Sequence, residues 1–326
     1  MTGTRSAAWM VTALFLALPA CGPTGSSGGE APPVVETPGG EIAPGDGDTP
    51  TTPDAPDTPT PPMDIPDIEP PPCPEGMERA GGNCVPTNID EEMVDGLAER
   101  FSALYAVQTV IAMTQNVPIL GELDNISTIM SYVEIRTNDE GELVMIQNGC
   151  GARSYTGDAI TVEIPTAVAE SVGPHETVLT VWEQDGVVHW TRPRYVIPIG
   201  IRLDDPINDA LPTDPNDQRI WDQDEDGNPG ITVKVSGFAE GDIFVIQKQI
   251  SNEHGTLEAD GTLVGLVEDR SEQVVIGATN PLLNQAIESR PHENGSLSTM
   301  RAKRIEEIRD CEWLEGNAEQ LFPSDG

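Results

Sequence analysis

From Tyr132 onward, short turns in which an acidic residue precedes glycine punctuate the chain, and apolar side chains alternate with polar ones on either side. A period of two places every second side chain on one face, which a strand can bury and a helix cannot. Tyr132–Arg136 and Leu143–Ile146 flank Asn138-Asp139-Glu140-Gly141. Val178–Trp182 and Val187–Trp190 flank Gln184-Asp185-Gly186, and Asp-Gly is the strongest short hairpin signal. Ile231, Val233 and Val235 alternate with polar residues, as do Ile243, Val245 and Gln247 after the turn Ala239-Glu240-Gly241-Asp242. His254–Glu258 and Thr262–Val267 are joined by Ala259-Asp260-Gly261, and Val274–Ile276 reads as a return strand. Strands at such spacing predict an all-β fold built as an antiparallel meander, with a few short helices.

Helical signals are sparse. An acidic first turn at Asp90-Glu91-Glu92 opens an amphipathic stretch reaching Leu104, Thr166–Val172 fits one short helix, and Asn280-Pro281 starts another through Ile287. Residues Arg301–Asp310 fit strand or helix, and Ile305 and Ile308, three apart, favour helix.

A long meander has edges to hide, and closure into a barrel hides them. An opening helix, an up-and-down barrel and a late helix together resemble the lipocalin or calycin architecture. The usual Gly-x-Trp of its first strand is missing, with Ala103-Leu104-Tyr105 in that place. A two-sheet sandwich accounts for the same pattern.

The N-terminal quarter is of another kind. Arg5 precedes the apolar run Ala7–Leu18, twelve residues against the ~20 needed to cross a bilayer as a helix. The run ends at Leu18-Pro19-Ala20-Cys21, where a signal peptidase would cut. Leu-x-Ala-Cys resembles the lipobox of bacterial lipoproteins, with Pro19 departing from the usual residue. The resemblance implies a signal peptide over 1–20 and acylation of Cys21, palmitate included. It further implies a membrane anchor, and Gly22 is compatible with sorting to the outer membrane. An ordinary secretory signal is the alternative.

Residues 22–72 hold 15 prolines, ten acidic residues and no Lys or Arg. Such a segment cannot bury enough apolar surface to offset its ordering entropy, so it is expected to be a disordered tether. At ~3.1 Å per residue its reach has an upper limit on the order of 150 Å.

Five cysteines fit an exported chain. With Cys21 acylated, Cys73, Cys84, Cys150 and Cys311 remain, and four thiols permit three pairings. A local Cys73–Cys84 bridge is the simplest, leaving Cys150 with Cys311. The expected organisation is therefore 1–20 signal, 21–72 acylated Cys and tether, 73–89 disulfide loop, 90–321 β-rich domain and 322–326 tail. A zinc site lacks support, because no Cys pair has ligand spacing and His175, His189, His254 and His292 are scattered.

The formal net charge is −38, with 55 Asp and Glu against 17 Lys and Arg, which removes the basic footprint that nucleic-acid binding requires. One acidic segment has coordination chemistry: Asp222-Gln223-Asp224-Glu225-Asp226-Gly227-Asn228. Carboxylates at positions one, three and five, glycine at six and a carbonyl at seven form a calcium loop. Asp222, Asp224 and Asp226 are candidate side-chain ligands and Asn228 a backbone ligand for Ca2+. The resemblance is to the DxDxDG loops of EF-hands and thrombospondin repeats. Position twelve departs from it: Val233 stands where an EF-hand has Glu, leaving Asp209, Asp214 or Asp217 to fold back as the missing ligand.

No Gly-x-Ser-x-Gly, Walker or His-Glu-x-x-His motif occurs, so no catalytic residue is assigned. The sequence supports a membrane-anchored, non-catalytic β-domain that binds a small apolar ligand or an envelope protein. Met130, Val133, Val144, Val181 and Val245 are the expected lining of a cavity, whereas a filled interior favours a scaffold. An aromatic fraction of 4% gives a sugar-stacking platform little support, and Trp182 and Trp190 would be the first residues to test for one. A cell-envelope hydrolase assembled from distant residues is the alternative.

Overall fold

Each acid–glycine turn does reverse a strand pair. The computed structural model describes residues 72–89, 91–117, 120–285 and 288–323, all within the compact unit Ile68–Gly326. The expected signal, Cys21 and almost all of the tether lie outside these residues.

β1 (Met77–Ala80) and β2 (Asn83–Pro86) pair only with each other. α1 (Glu91–Phe101) then leads through Ser102 into β3 (Ala103–Val117). β4 (Gly121–Thr137), β5 (Leu143–Thr156) and β6 (Ile160–Ile164) continue as neighbouring strands. An insertion follows, made of α2 (Thr166–Val172), β7 (His175–Val178), β8 (Thr180–Gln184) and β9 (Val187–Ile199). A long connection reaches β10 (Ile231–Gly237), β11 (Gly241–Leu257), β12 (Leu263–Asp269) and β13 (Glu272–Ala278). The chain ends with β14 (Glu288–Pro291), β15 (Thr299–Ile305), α3 (Cys311–Gly316) and α4 (Ala318–Leu321).

Among the described residues, thirteen strands form one antiparallel sheet, and its hydrogen-bonded path returns to its start. Taken in chain order, β3, β4, β5, β6, β10, β11, β12 and β15 each pair with the next, and β15 pairs with β3. This is an up-and-down ring of eight staves interrupted by two insertions. Closure is staggered, because β5 and β11 outreach the strands between them. Towards one end β6 joins Ala152–Thr156 of β5, and β10 joins Gly241–Val245 of β11. Towards the other, β7 joins Val144–Gln147 of β5, and β9 joins Gln247–Thr256 of β11.

An eight-stranded ring is just wide enough to be filled by its own side chains. One apolar cluster holds Tyr105, Val107, Val133, Ile135, Met145, Val181, Trp190, Leu263 and Met300, and α1 closes it with Leu97 and Phe101. A second brings Val168 of α2 onto Ile199, Ile231, Val233 and Val245. Outside the ring, Leu314 and Phe322 cover Ala106, Met130, Tyr132 and Cys150.

Three helical expectations are corrected. The stretch from Arg301 begins as strand β15, not helix. Met300 and Ala302 are buried between less buried Thr299, Arg301 and Lys303, a period of two that outweighs the Ile305–Ile308 spacing. Pro281 opens only a 3-10 turn, Pro281–Leu283, capped by Asn280, and Ile287 lies outside the described residues. The helix from Glu91 stops at Phe101, so Leu104 already belongs to β3.

Candidate functional site

The acidic loop sits where the long connection enters the ring. Bridges Ile201–Ile220 and Asp222–Gly230 clamp its ends. The Asp222 carboxylate folds the loop around itself, accepting from the N–H of Asp226 at 3.1 Å and of Gly227 at 2.8 Å. Asp226 accepts from the Asn228 N–H at 2.8 Å and its amide at 3.1 Å. Asp224 accepts from the Thr232 N–H at 3.1 Å, tying the loop to β10. Three residues take positive φ: Gly227 at 92°, Gly230 at 82° and Glu225 at 57°, the last uncommon for a residue with a Cβ.

One carboxylate oxygen from each of Asp222, Asp224 and Asp226 lies within 4.8 Å of the others, the only such acidic or His/Cys group of three among the described residues. At such distances each pair of like charges costs ~1 kcal/mol in water and ~4 kcal/mol near a protein surface. Burial, then the neighbouring Asp226 and Asp222 charges, push the Asp224 carboxyl up from its ordinary range. Its Oδ1 is buried and accepts no hydrogen bond. For Asp226, burial acts upward, but hydrogen bonds from Thr232 and Asn228 outweigh it and hold that carboxyl low. Three converging carboxylates with one oxygen lacking a donor are a hard-cation donor set.

Of the fold-back candidates, Asp209 accepts from Asp205, Asp214 from Asn216, and Asp217 pairs with Arg219 at 2.9 Å. None joins the three-carboxylate group. Val233 is buried against Val168 and Val245, so position twelve supplies no side-chain oxygen. Gln223 anchors the loop instead: its amide accepts from the Gly200 N–H at 2.6 Å and donates to the Ser171 carbonyl at 3.2 Å.

Cys73 bonds Cys84 with Cα atoms 5.6 Å apart, and Cys150 bonds Cys311 at 5.2 Å. The second bridge holds α3 over the outer face of β4 and β5. The first closes the β1–β2 hairpin, which is docked on the barrel: Asn83 is buried and donates to the carbonyls of Arg192 and Glu253.

The expected cavity lining divides among separate packing groups. Val133 and Val181 belong to the cluster under α1, Val245 to that under α2, and Met130 to the outer face beneath α3. Val144 is buried as well. Trp190 is fully buried, and Trp182 is 7% exposed and stacked on His189, ring centroids 5.3 Å apart.

A second polar group escaped sequence reading. Arg192 is fully buried, one inward step beyond Trp190 on β9. Its Nε donates to Thr177 Oγ1 at 2.6 Å, Nη1 to Gln147 Oε1 at 2.7 Å, and Nη2 to His175 Nε2 at 2.9 Å. Glu253 Oε1 lies 3.4 Å from Nη1 and accepts the Tyr195 hydroxyl at 3.2 Å. The guanidinium stacks on the Tyr195 ring at 3.9 Å. Burial raises the Tyr195 phenol far above its usual range. Burial, then the Arg192 charge, lowers His175 from 6.5 to about 4. Arginine only donates, so His175 Nε2 must be the acceptor, with its proton on Nδ1. The basic nitrogen of His175 is thus engaged by Arg192. The available signal was a charged residue in phase with Val188 and Trp190 on a strand.

Comparison with protein-family models, curated proteins and solved structures finds no match to this chain.

Proposed function

We propose that the protein is an exported lipoprotein, acylated at Cys21 and held at the cell envelope, at the outer membrane by its Gly22 signal. A Pro- and Asp-rich tether displays a non-catalytic β-barrel that binds an envelope protein on its surface. The loop Asp222–Asn228 takes a calcium ion that stiffens the barrel entrance to β10.

The filled ring carries this reading. Side chains of the strands, α1 and α2 pack into the ring, which favours a rigid display module over a carrier of small apolar ligands. The Asp224 oxygen without a donor supports the calcium assignment. With no bidentate ligand at position twelve, affinity belongs in the ~10⁻⁴ to 10⁻³ M range of extracellular modules.

Calorimetry tests the ion. Calcium should release heat with the parent chain and none with Asp224→Asn plus Asp226→Asn, and a silent parent removes calcium from the proposal. Labelled palmitate should enter the parent and not Cys21→Ser, and no incorporation in either defeats the anchor. Co-purifying lipid found by mass spectrometry would move the function back to ligand carriage.

A further inference from the structure

The buried arginine does more than fill the ring. β7 has four residues and pairs with β5 alone, through His175–Gln147 to Val178–Val144. Its other edge runs beside β9 without a hydrogen-bonded register. Across that gap the Arg192 side chain stands in for the missing ladder, and two of its acceptors, Thr177 Oγ1 and His175 Nε2, are on β7. The ends of β7 differ in how firmly they are held. Leu179 is buried in the cluster under α1, and its N–H donates to the Leu143 carbonyl at 2.8 Å. Gly173 has φ 73° with nothing near the place a Cβ would take.

We propose that β7 is an acid-released strap: protonation of His175 breaks its contact with Arg192 and opens the seam between β5 and β9 onto the buried Arg192–Glu253 pair.

Chemistry fixes the direction. His175 accepts from a permanent cation, so a proton on Nε2 removes the acceptor and places two positive charges 2.9 Å apart. The groups facing His175 offer no relief. β9 presents Arg192 and the Tyr195 ring, 5.6 Å away, while β5 presents neutral Gln147. The carboxylate of Glu253, on β11, is held through Oε1 by Arg192 Nη1 and the Tyr195 hydroxyl, and its Oε2 is buried without a partner. Glu176 points outward, where it pairs with Arg136 at 3.5 Å. The histidine value of about 4, against 6.5 when exposed, agrees with this geometry. Each unit of difference is a factor of ten, so full protonation shifts the closed-to-open balance by up to ~300-fold.

Amide exchange of the full chain, read by mass spectrometry on peptides spanning 173–179 and corrected for intrinsic rates, tests the strap. Between pH 6.5 and 4, protection should fall progressively towards ~300-fold, while β3 and β4 keep theirs. His175→Gln retains an acceptor for Arg192 and does not titrate, so its profile should be flat. A flat parent, or an equal fall in His175→Gln, overturns the proposal. Imidazole nitrogen resonances of the parent at pH 7 decide independently of any variant: a proton on Nδ1 is required, and one on Nε2 overturns the strap.

Discussion

The indole of Trp190 lies across the α-carbon of Gly265, so close that an added Cβ would come within 2.7 Å of Cζ2 and 2.6 Å of the His254 carbonyl. Gly265 pairs with Gly255, which in turn pairs with Trp190. Gly265 thus makes room for the largest buried side chain in the ring, while Gly255 lets the backbone of Val264 and Gly265 come close. Gly265→Ala should cost about 1–3 kcal/mol, the range for overpacking a close-packed core. Gly96→Ala, on α1 with open space at its Cβ, should instead add about 0.5–1 kcal/mol. Urea titrations of the two variants should move to opposite sides of the parent.

Asn83 is the pin of the disulfide hairpin. Its amide donates to the Thr191 hydroxyl and to the Arg192 and Glu253 carbonyls, at 3.2 and 3.1 Å, and its Oδ1 accepts from Asn252 at 2.8 Å. Asn83→Leu leaves the Asn252 amide and the Arg192 carbonyl without this buried partner, at ~1–3 kcal/mol for each group left unsatisfied, while the Thr191 hydroxyl still donates to the Glu253 carbonyl. A total loss of about 2–4 kcal/mol should appear in denaturant unfolding. Early proteolytic cutting near 87–89, before the barrel opens, should accompany it.

Which parts the sequence disclosed follows from the range of the forces involved. Hairpins were readable because the turn residues and the alternation they separate lie within a dozen positions, as at Asp185-Gly186 and Asp260-Gly261. β3 was hidden because only Ser102 separates it from α1, without a glycine or proline to mark the change. The acidic loop was readable for the same reason as the hairpins, all its groups being contiguous. The Arg192 network draws on β5, β7, β9 and β11, which meet only once the ring has formed.

Arg192 and Glu253 should show strong coupling. Arg192→Met leaves a carboxylate buried with only the Tyr195 hydroxyl, which costs about 3–5 kcal/mol for a broken buried pair. Arg192→Met with Glu253→Met removes both charges and the desolvation each suffers. The double variant should regain part of the loss: both charges are gone, while Gln147 Oε1 and His175 Nε2 still lack the donor that Arg192 supplied. A double-mutant cycle in urea reads the coupling, and a double variant as unstable as the sum of its parts would contradict it.

Reducing Cys150–Cys311 should loosen the C-terminal cover more than the ring. The bridge spans 161 residues, which corresponds to ~5 kcal/mol of unfolded-chain entropy in the loop-closure model. α3 and α4 add few other contacts, chiefly Trp313, Leu314 and Phe322 against Ala106, Met130 and Tyr132. Cys150→Ala with Cys311→Ala should therefore lose several kcal/mol globally and expose Trp313, whose fluorescence should shift red before the barrel unfolds.

The pH dependence of stability has its sign set by His175. Its folded value, about 4, lies below the 6.5 of the exposed side chain, so the unfolded chain takes up the proton first. The neutral ring contributes fully above pH 6.5, and that contribution is lost as the pH falls towards 4. The difference corresponds to at most about 3 kcal/mol. Release of β7 absorbs part of this penalty while the rest of the ring stays folded, so the global loss should fall short of the full amount. Urea midpoints between pH 7 and 4 should decline by more in the parent than in His175→Gln. Parallel declines would assign the acid sensitivity to the carboxylates and remove histidine from the account.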